Sequence, residues 1–278
     1  MTRHQFFARA DTLHLAVPGG TIAYDLQGAG PLVLLVPGMG ELRSSYRLLA
    51  PALVEAGYRV AMVDLRGHGD SSASFTSYGD VETASDIALL LRELAVPAVI
   101  VGNSMAAGAA VIAAAEQPAL VTGLVLVGPF VRNPPSSGPL QRLLFRVLMA
   151  RPWAAPVWNA YLPMLYAGRK PADFPEYRKA VLAALRRPGY TRAFSLTTRT
   201  DHGPAAESLP AVQAPTLVIM GEKDPDFKDP QAEARWITGA LGGSMVMIPD
   251  AGHYPQSQQP EPTAAAVVGF LRTLGHHA

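Results

Sequence analysis

The chain has 278 residues, 23 basic against 22 acidic side chains, 25 glycines, 25 prolines and no cysteine. That length makes one large domain or two small ones, and 49% apolar with 16% charged residues is a globular composition. A net charge of +1 gives no bulk drive toward nucleic acid, and the lack of cysteine excludes disulfides, thiolate nucleophiles and Cys-ligated zinc or iron–sulfur sites.

At the start of the chain, Arg9, Asp11 and His14 interrupt the apolar residues, so no signal-peptide core is expected. The longest apolar stretch, Met105 to Ala115, falls short of the ~20 residues that span a bilayer. The expectation is a soluble cytoplasmic protein that binds neither membrane nor nucleic acid. Thr12–Val17 and Thr21–Asp25 flank Pro18-Gly19-Gly20 and predict a hairpin. Short apolar runs follow at Leu32–Val36, Arg59–Val63, Ala98–Val101, Leu124–Val127, Thr216–Met220 and Ser244–Ile248, as suits parallel strands covered on both faces. Helical patterns lie between most of them, at Tyr46–Ala56, Val81–Leu94 and Met105–Gln117, around Trp236, and at Thr263–Leu274. Strands alternating with helices predict an α/β fold with a doubly wound sheet.

Residues 132–210 break this rhythm. They hold no strand-like run, and proline cuts them into short helical candidates at Leu140–Met149, Ala154–Leu165 and Glu176–Leu185. Such a stretch between two strands reads as an insertion packed over the sheet. It carries 9 of the 21 aromatic residues, with 12 basic and 4 acidic side chains, a balance of +8 against −7 for the remainder. Its arginines could draw in a carboxylate-bearing substrate, pair with the acidic remainder, or form a solvated face. The same split could promote homo-oligomers.

Val99-Ile100-Val101-Gly102-Asn103-Ser104-Met105-Ala106 runs from a strand straight into a helix with a serine at the turn. A G-x-S-x-small pattern there lifts the hydroxyl above the strand end, and small neighbours let strand and helix pass closely. Gly69-Asp70-Ser71-Ser72-Ala73 matches the same pattern, but no helix starts at Ser72, so context selects Ser104. A serine needs a base, and the base an orienting acid. His253 follows the last strand run and is preferred over His68 and His202; His4, His14, His276 and His277 lie near the ends. In Gly221-Glu222-Lys223-Asp224-Pro225-Asp226, Asp224 is the first choice of acid and Asp226 the next. For the oxyanion hole, Val36-Pro37-Gly38-Met39-Gly40 offers the Met39 N–H and the helix start offers the Met105 N–H.

With these motifs in order, the chain resembles the α/β-hydrolase superfamily over nearly its full length. Asp64-Leu65-Arg66-Gly67-His68-Gly69-Asp70-Ser71 is similar to the stretch after the fourth core strand in esterases, perhydrolases and carbon–carbon bond hydrolases of that group, where it shapes the active-site floor. The resemblance implies a mostly parallel eight-stranded sheet flanked by helices. It places a core at 1–131 and 211–278, a helical cap at 132–210, and a Ser104–Asp224–His253 triad with Met39 and Met105 as oxyanion donors. It implies no cofactor and no metal. Pro37 stands where many relatives have histidine, and Ala106 where glycine is commoner. A serine nucleophile argues against haloalkane dehalogenases and epoxide hydrolases, which use aspartate. The expected activity is a cofactor-independent serine esterase for small apolar or aromatic substrates. Carbon–carbon bond hydrolysis or peracid formation is the alternative on the same triad, and a non-hydrolytic binding protein or lyase-like catalyst the alternative of another class.

Overall fold

The computed structural model describes residues 11–133 and 138–275, with the side chains of 139–142 left aside. His4, His276, His277 and the side chain of Arg142 therefore lie outside the described residues. Eight strands form one sheet in the order β1-β2-β4-β3-β5-β6-β7-β8. They are β1 (Leu13–Val17), β2 (Gly20–Gln27), β3 (Leu32–Val36), β4 (Arg59–Val63), β5 (Ala98–Asn103), β6 (Val121–Val127), β7 (Thr216–Gly221) and β8 (Ser244–Ile248). β1 pairs antiparallel with β2, and β2 with β4; every other pairing is parallel.

The apolar runs read as parallel strands because they feed two cores at once. Leu32, Leu34 and Val36 of β3 enter one hydrophobic cluster, with Ile100 and Leu126. The intervening Val33 and Leu35 enter the other, with Val101 and Val127. This is the two-residue alternation of a strand with both faces covered. α2 (Asp80–Leu94), α3 (Met105–Glu116) and α9 (Pro230–Leu241) cover the first face, and α1 (Ala50–Glu55) and α11 (Pro260–Thr273) the second. The pattern over Tyr46–Ala56 resolves into two pieces, a 3-10 turn at Arg43–Tyr46 and then α1, whose Pro51 sits in the first helical turn. Proline is favoured there because its missing N–H would be unpaired in any case.

Between β6 and β7 the chain forms α4 (Pro139–Leu148), α5 (Ala154–Leu165), α6 (Phe174–Leu185), α7 (Tyr190–Thr197) and α8 (Gly203–Ser208). α7, α8 and the one-turn α10 (Pro255–Gln258) had no counterpart in the apolar periodicity, being too short to display it. This segment has a core of its own, including Met149, Trp158, Leu162, Phe174, Val181 and Phe194, which takes in Tyr254 from the loop after β8. α4 differs from its neighbours. It leaves Leu143, Leu144, Phe145, Val147 and Leu148 exposed. No described helix is long and apolar enough to cross a membrane.

Candidate active site

β5 ends at Asn103 and α3 begins at Met105, so Ser104 alone makes the turn, with φ 58° and ψ −124°. A non-glycine residue held there stores strain of about 1–3 kcal/mol, which the surrounding structure must over-determine. The constraints are visible. Ser104 N–H donates to the Val127 carbonyl at 2.9 Å, and the Ser104 carbonyl accepts from Phe130 N–H at 3.2 Å. Strand and helix pass so closely that a Cβ on Gly102 would lie 2.6 Å from the Ala106 carbonyl oxygen, which only glycine tolerates. Among the described residues the Ser104 hydroxyl makes no hydrogen bond, as often happens before substrate tightens a site.

His253 and Asp224 meet above the ends of β6 and β7. His253 Nδ1 and Asp224 Oδ2 are 2.7 Å apart, and both side chains are buried. The backbone at the end of β6 links this pair to Ser104. Val127 receives the Ser104 N–H, and a Cβ on the next residue, Gly128, would lie 3.1 Å from His253 Nδ1 and 3.2 Å from Asp224 Oδ2. Asn103 adds a second link, its Nδ2 donating to the carbonyls of Val127 at 2.9 Å and His253 at 3.2 Å. The roles of Gly128 and Asn103 were missed in the sequence, because their partners come from distant stretches of the chain.

Asp226, the alternative acid, is near the same histidine but on its other edge, with Oδ2 3.7 Å from His253 Nε2. Its N–H donates to Asp224 Oδ1 at 3.1 Å, and its Oδ1 accepts from the Tyr161 hydroxyl at 2.6 Å. Burial alone would lower the His253 pKa. The Asp224 and Asp226 carboxylates overcome that and push it up to about 9, because each stabilises the imidazolium. Burial pushes the Asp226 pKa up, against the pull of His253.

The loop after β3 lies against Ser104, a Cβ on Gly38 falling 2.8 Å from Ser104 Cβ. Both backbone groups of Gly40 are fixed. Its N–H donates to His68 Nε2 at 2.9 Å, and its carbonyl accepts from Trp158 Nε1 at 3.0 Å. Met39 N–H donates to nothing among the described residues, and Met105, first in its helix, has no preceding turn to receive its N–H. Two donors are thus left free beside Ser104. His68 braces this loop from the segment after β4. Its Nδ1 lies 2.8 Å from the Arg66 carbonyl, which fixes the proton on Nδ1 and leaves Nε2 to accept. Burial lowers its pKa against the effect of Arg66 and Asp64, in keeping with a neutral ring.

The remaining candidates have structural roles. Ser72 Oγ accepts the Thr21 N–H at 3.0 Å and Ser71 Oγ the Ala23 N–H at 2.9 Å, so that second serine pattern ties a turn to β2. His202 pairs with Asp80 at 2.7 Å, joining the start of α8 to the start of α2. Some of the basic segment's arginines are pinned. Arg132 pairs with Glu233, Arg187 with Asp70, and Arg178 bonds Asn159.

The helical segment also holds the site from above. His253 N–H donates to the Leu165 carbonyl at 2.8 Å, and Gln258 Nε2 donates to the carbonyls of Ala167 and Arg169 at 2.7 and 2.8 Å. Tyr177 donates to the buried Glu41 at 2.6 Å; burial pushes the Glu41 pKa up to about 8 despite that bond. Asp224, Asp226 and His253 bring possible metal-ligating atoms within 4.8 Å of one another. The hydrogen bond between Asp224 and His253 already occupies two of those atoms. A surface groove of about 590 Å³, lined by Arg169, Lys170, Glu176, Gln258 and Glu261, does not include Ser104, Asp224, Asp226 or His253.

Residues 33–266 match the model of the alpha/beta hydrolase family. A 2-(acetamidomethylene)succinate hydrolase of Mesorhizobium japonicum is 31% identical over 260 residues, 88% of this chain and 89% of its own. A 2-hydroxy-6-oxononadienedioate/2-hydroxy-6-oxononatrienedioate hydrolase of Pseudomonas putida is 30% identical over 264 residues, 88% of this chain and 89% of its own. Among solved structures, a thermophilic esterase from Thermogutta terrifontis superposes with a TM-score of 0.79 at 25% identity, covering 97% of this chain and 100% of its own.

Proposed function

The chain belongs to the alpha/beta hydrolase family, and from that premise we propose that it is a serine hydrolase of small carboxylic esters, with Ser104 as nucleophile, His253 as base and Asp224 as orienting acid. The observation that carries this reading is the 2.7 Å bond between His253 and Asp224, joined through Val127 and Gly128 to a serine held at a strained strand–helix turn. Ser104 Oγ attacks the ester carbonyl carbon as its proton passes to His253 Nε2. The oxyanion takes hydrogen bonds from the Met39 and Met105 N–H groups. On collapse the carbon–oxygen bond to the alcohol breaks, and the imidazolium gives its proton to the departing alkoxide. Water then attacks the acyl-serine by the reverse proton route, releasing the acid and restoring Ser104. Residues 132–210 act as the cap that closes over this step and sets which esters enter.

Fluorophosphonate labelling and burst release of 4-nitrophenol from 4-nitrophenyl butanoate test the reading. Both are expected in the native protein and should vanish in Ser104→Ala, with turnover falling about 10⁴-fold or more. No labelling of the native protein sinks the serine mechanism. His253 must be neutral to accept the proton. With its pKa at about 9, kcat/KM for a neutral ester falls as the pH drops below that value. A profile flat from pH 7 to 10 would contradict the assignment of His253 as base.

The Pseudomonas putida relative, named as a hydrolase of an oxo-dienedioate, supports a second reading, carbon–carbon bond hydrolysis on the same triad. Peracid formation needs only hydrogen peroxide in place of water in the second step. Relative kcat/KM for an aryl ester and a ring-fission diketone separates the first two, and peracid yield in peroxide identifies the third.

A further inference from the structure

Asp226 has no assigned part in the triad, yet it stands at the edge of His253 where the proton moves. Its Oδ2 is 3.7 Å from Nε2, while Tyr161 of α5 holds Oδ1 at 2.6 Å. The Asp224 side chain is fully buried, whereas that of Asp226 is 18% exposed, so Asp226 keeps an open side. Its ion pair among the described residues is with His253. The groups that face His253 are Asp224, Asp226 and Glu41. Glu41, with its pKa at about 8, is largely protonated at neutral pH. Even with His253 charged, two carboxylates face one cation. When His253 is neutral, as it must be to act as base, Asp226 faces no cation among the described residues.

The surroundings are aromatic. The ring of Tyr161 lies 5.9 Å from that of Trp158, and Phe130 lies 5.9 Å from His253 while stacking on Phe227 at 4.9 Å. A carboxylate with an open side among aromatic rings suits an ammonium group, which the rings attract as well. The side of the substrate follows from the chemistry. Nε2 returns the proton to the departing alkoxide, so whatever flanks Nε2 flanks the alcohol portion of the ester.

We infer that Asp226 is a specificity-determining residue that selects esters whose alcohol portion carries a cationic nitrogen. This rests on the serine-esterase reading above. The substrate cation replaces the imidazolium as the partner of Asp226, which leaves Nε2 free for Ser104. A carboxylate at the same place meets repulsion.

Butanoylcholine and 3,3-dimethylbutyl butanoate share a shape and differ in charge, so their ratio of kcat/KM isolates the effect. The native protein should favour the choline ester by about tenfold or more, the scale of a hydrogen-bonded or paired charge in a protected site. In Asp226→Asn the ratio falls toward one, and in Tyr161→Phe, which frees the carboxylate from its anchor, it lies between the two. Asp226→Asn also moves the acid limb of the neutral ester's profile to lower pH, since one carboxylate that favours the imidazolium is gone. A merely structural role would move neither quantity. A native ratio of one or less, or a ratio unchanged in Asp226→Asn, overturns the inference. Fluorophosphonate labelling of Ser104 and hydrolysis of the neutral ester are measured in parallel. If both fail, the esterase reading falls; if both hold while the ratio is flat, only the role of Asp226 falls.

Discussion

The sheet and the helical segment that crosses above it reach the same site by different means. The sheet acts through backbone. Ser104, Gly128, Asp224 and the loop bearing His253 all follow strand ends, and main-chain bonds such as Ser104 N–H to Val127 and Gly128 N–H to Ile219 fix them. The helical segment adds side chains, with Trp158 on Gly40, Tyr161 on Asp226 and Tyr177 on Glu41. Its main chain grips the loop that bears His253, through the carbonyls of Leu165, Ala167 and Arg169 and the Arg169 N–H. Backbone positions survive most substitutions, whereas side-chain contacts change with each residue. On the proposed function, the sheet sets the kind of reaction and the helical segment braces the loops around it.

A substitution in the sheet core tests the first half of that contrast with the largest effect. Leu34, fully buried in the central strand β3, becomes a cavity in Leu34→Ala, at a cost of about 2–5 kcal/mol. Thermal unfolding should shift down by about 5–15 °C, with kcat/KM at 25 °C nearly unchanged, because no catalytic group moves. A selective loss of activity without the thermal shift would mean that the sheet does more than hold strand ends in place.

Gly40 offers a sharper test, because one region grips each of its backbone groups. Replacing His68 with Leu leaves the Gly40 N–H unpaired in a buried place, a penalty of about 1–3 kcal/mol, and the loop that carries the Met39 donor loses its fixed orientation. We expect kcat to fall about tenfold with KM little changed. Trp158→Phe keeps most of the ring and removes only the bond to the Gly40 carbonyl, so about a threefold loss is expected. Equal losses in the two variants would show that the helical segment holds the oxyanion loop on the same terms as the core.

The legibility of the sequence divides along the same line. β3 and β4 coincide with their apolar runs to the residue, since a strand buried on both faces leaves a continuous run with sharp ends; β8 at the sheet edge also coincides, although only Ile248 of it is fully buried. Ser104 was readable because a strand, a turn and a helix are consecutive in the chain. Asp224 and Asp226 were both candidates, two residues apart in one loop, and spacing alone does not say which faces Nδ1 and which Nε2. The braces at Gly40 were illegible. His68, Trp158 and Gly40 come from three distant stretches, and nothing local in any of them signals the other two. His68 reaches the loop after β3 from the segment after β4, a contact that neither stretch signals locally.

The smallest expected effect concerns α4, where the contrast between the two regions is greatest. α3 is mostly alanine and is buried along almost its whole length. α4 is richer in leucine, yet leaves Leu143 and Leu144 each 57% exposed. Hydrophobicity alone does not decide burial here; α3 lies against the sheet and α4 does not. An exposed leucine contributes little to stability, so Leu144→Ser should change unfolding free energy by no more than about 0.5 kcal/mol, a tenth to a quarter of the Leu34→Ala effect. Urea unfolding of both variants at the same protein concentration makes the comparison. A loss near 2 kcal/mol in Leu144→Ser would mean that the apolar face of α4 is covered in solution. If that loss shrank on dilution of the native protein, the cover would be a second copy of the chain, the self-association that its opposed charges allow. If it did not, Leu144 would be packed against its own chain, and the division between a braced α5–α7 and an uncovered α4 would have to be redrawn.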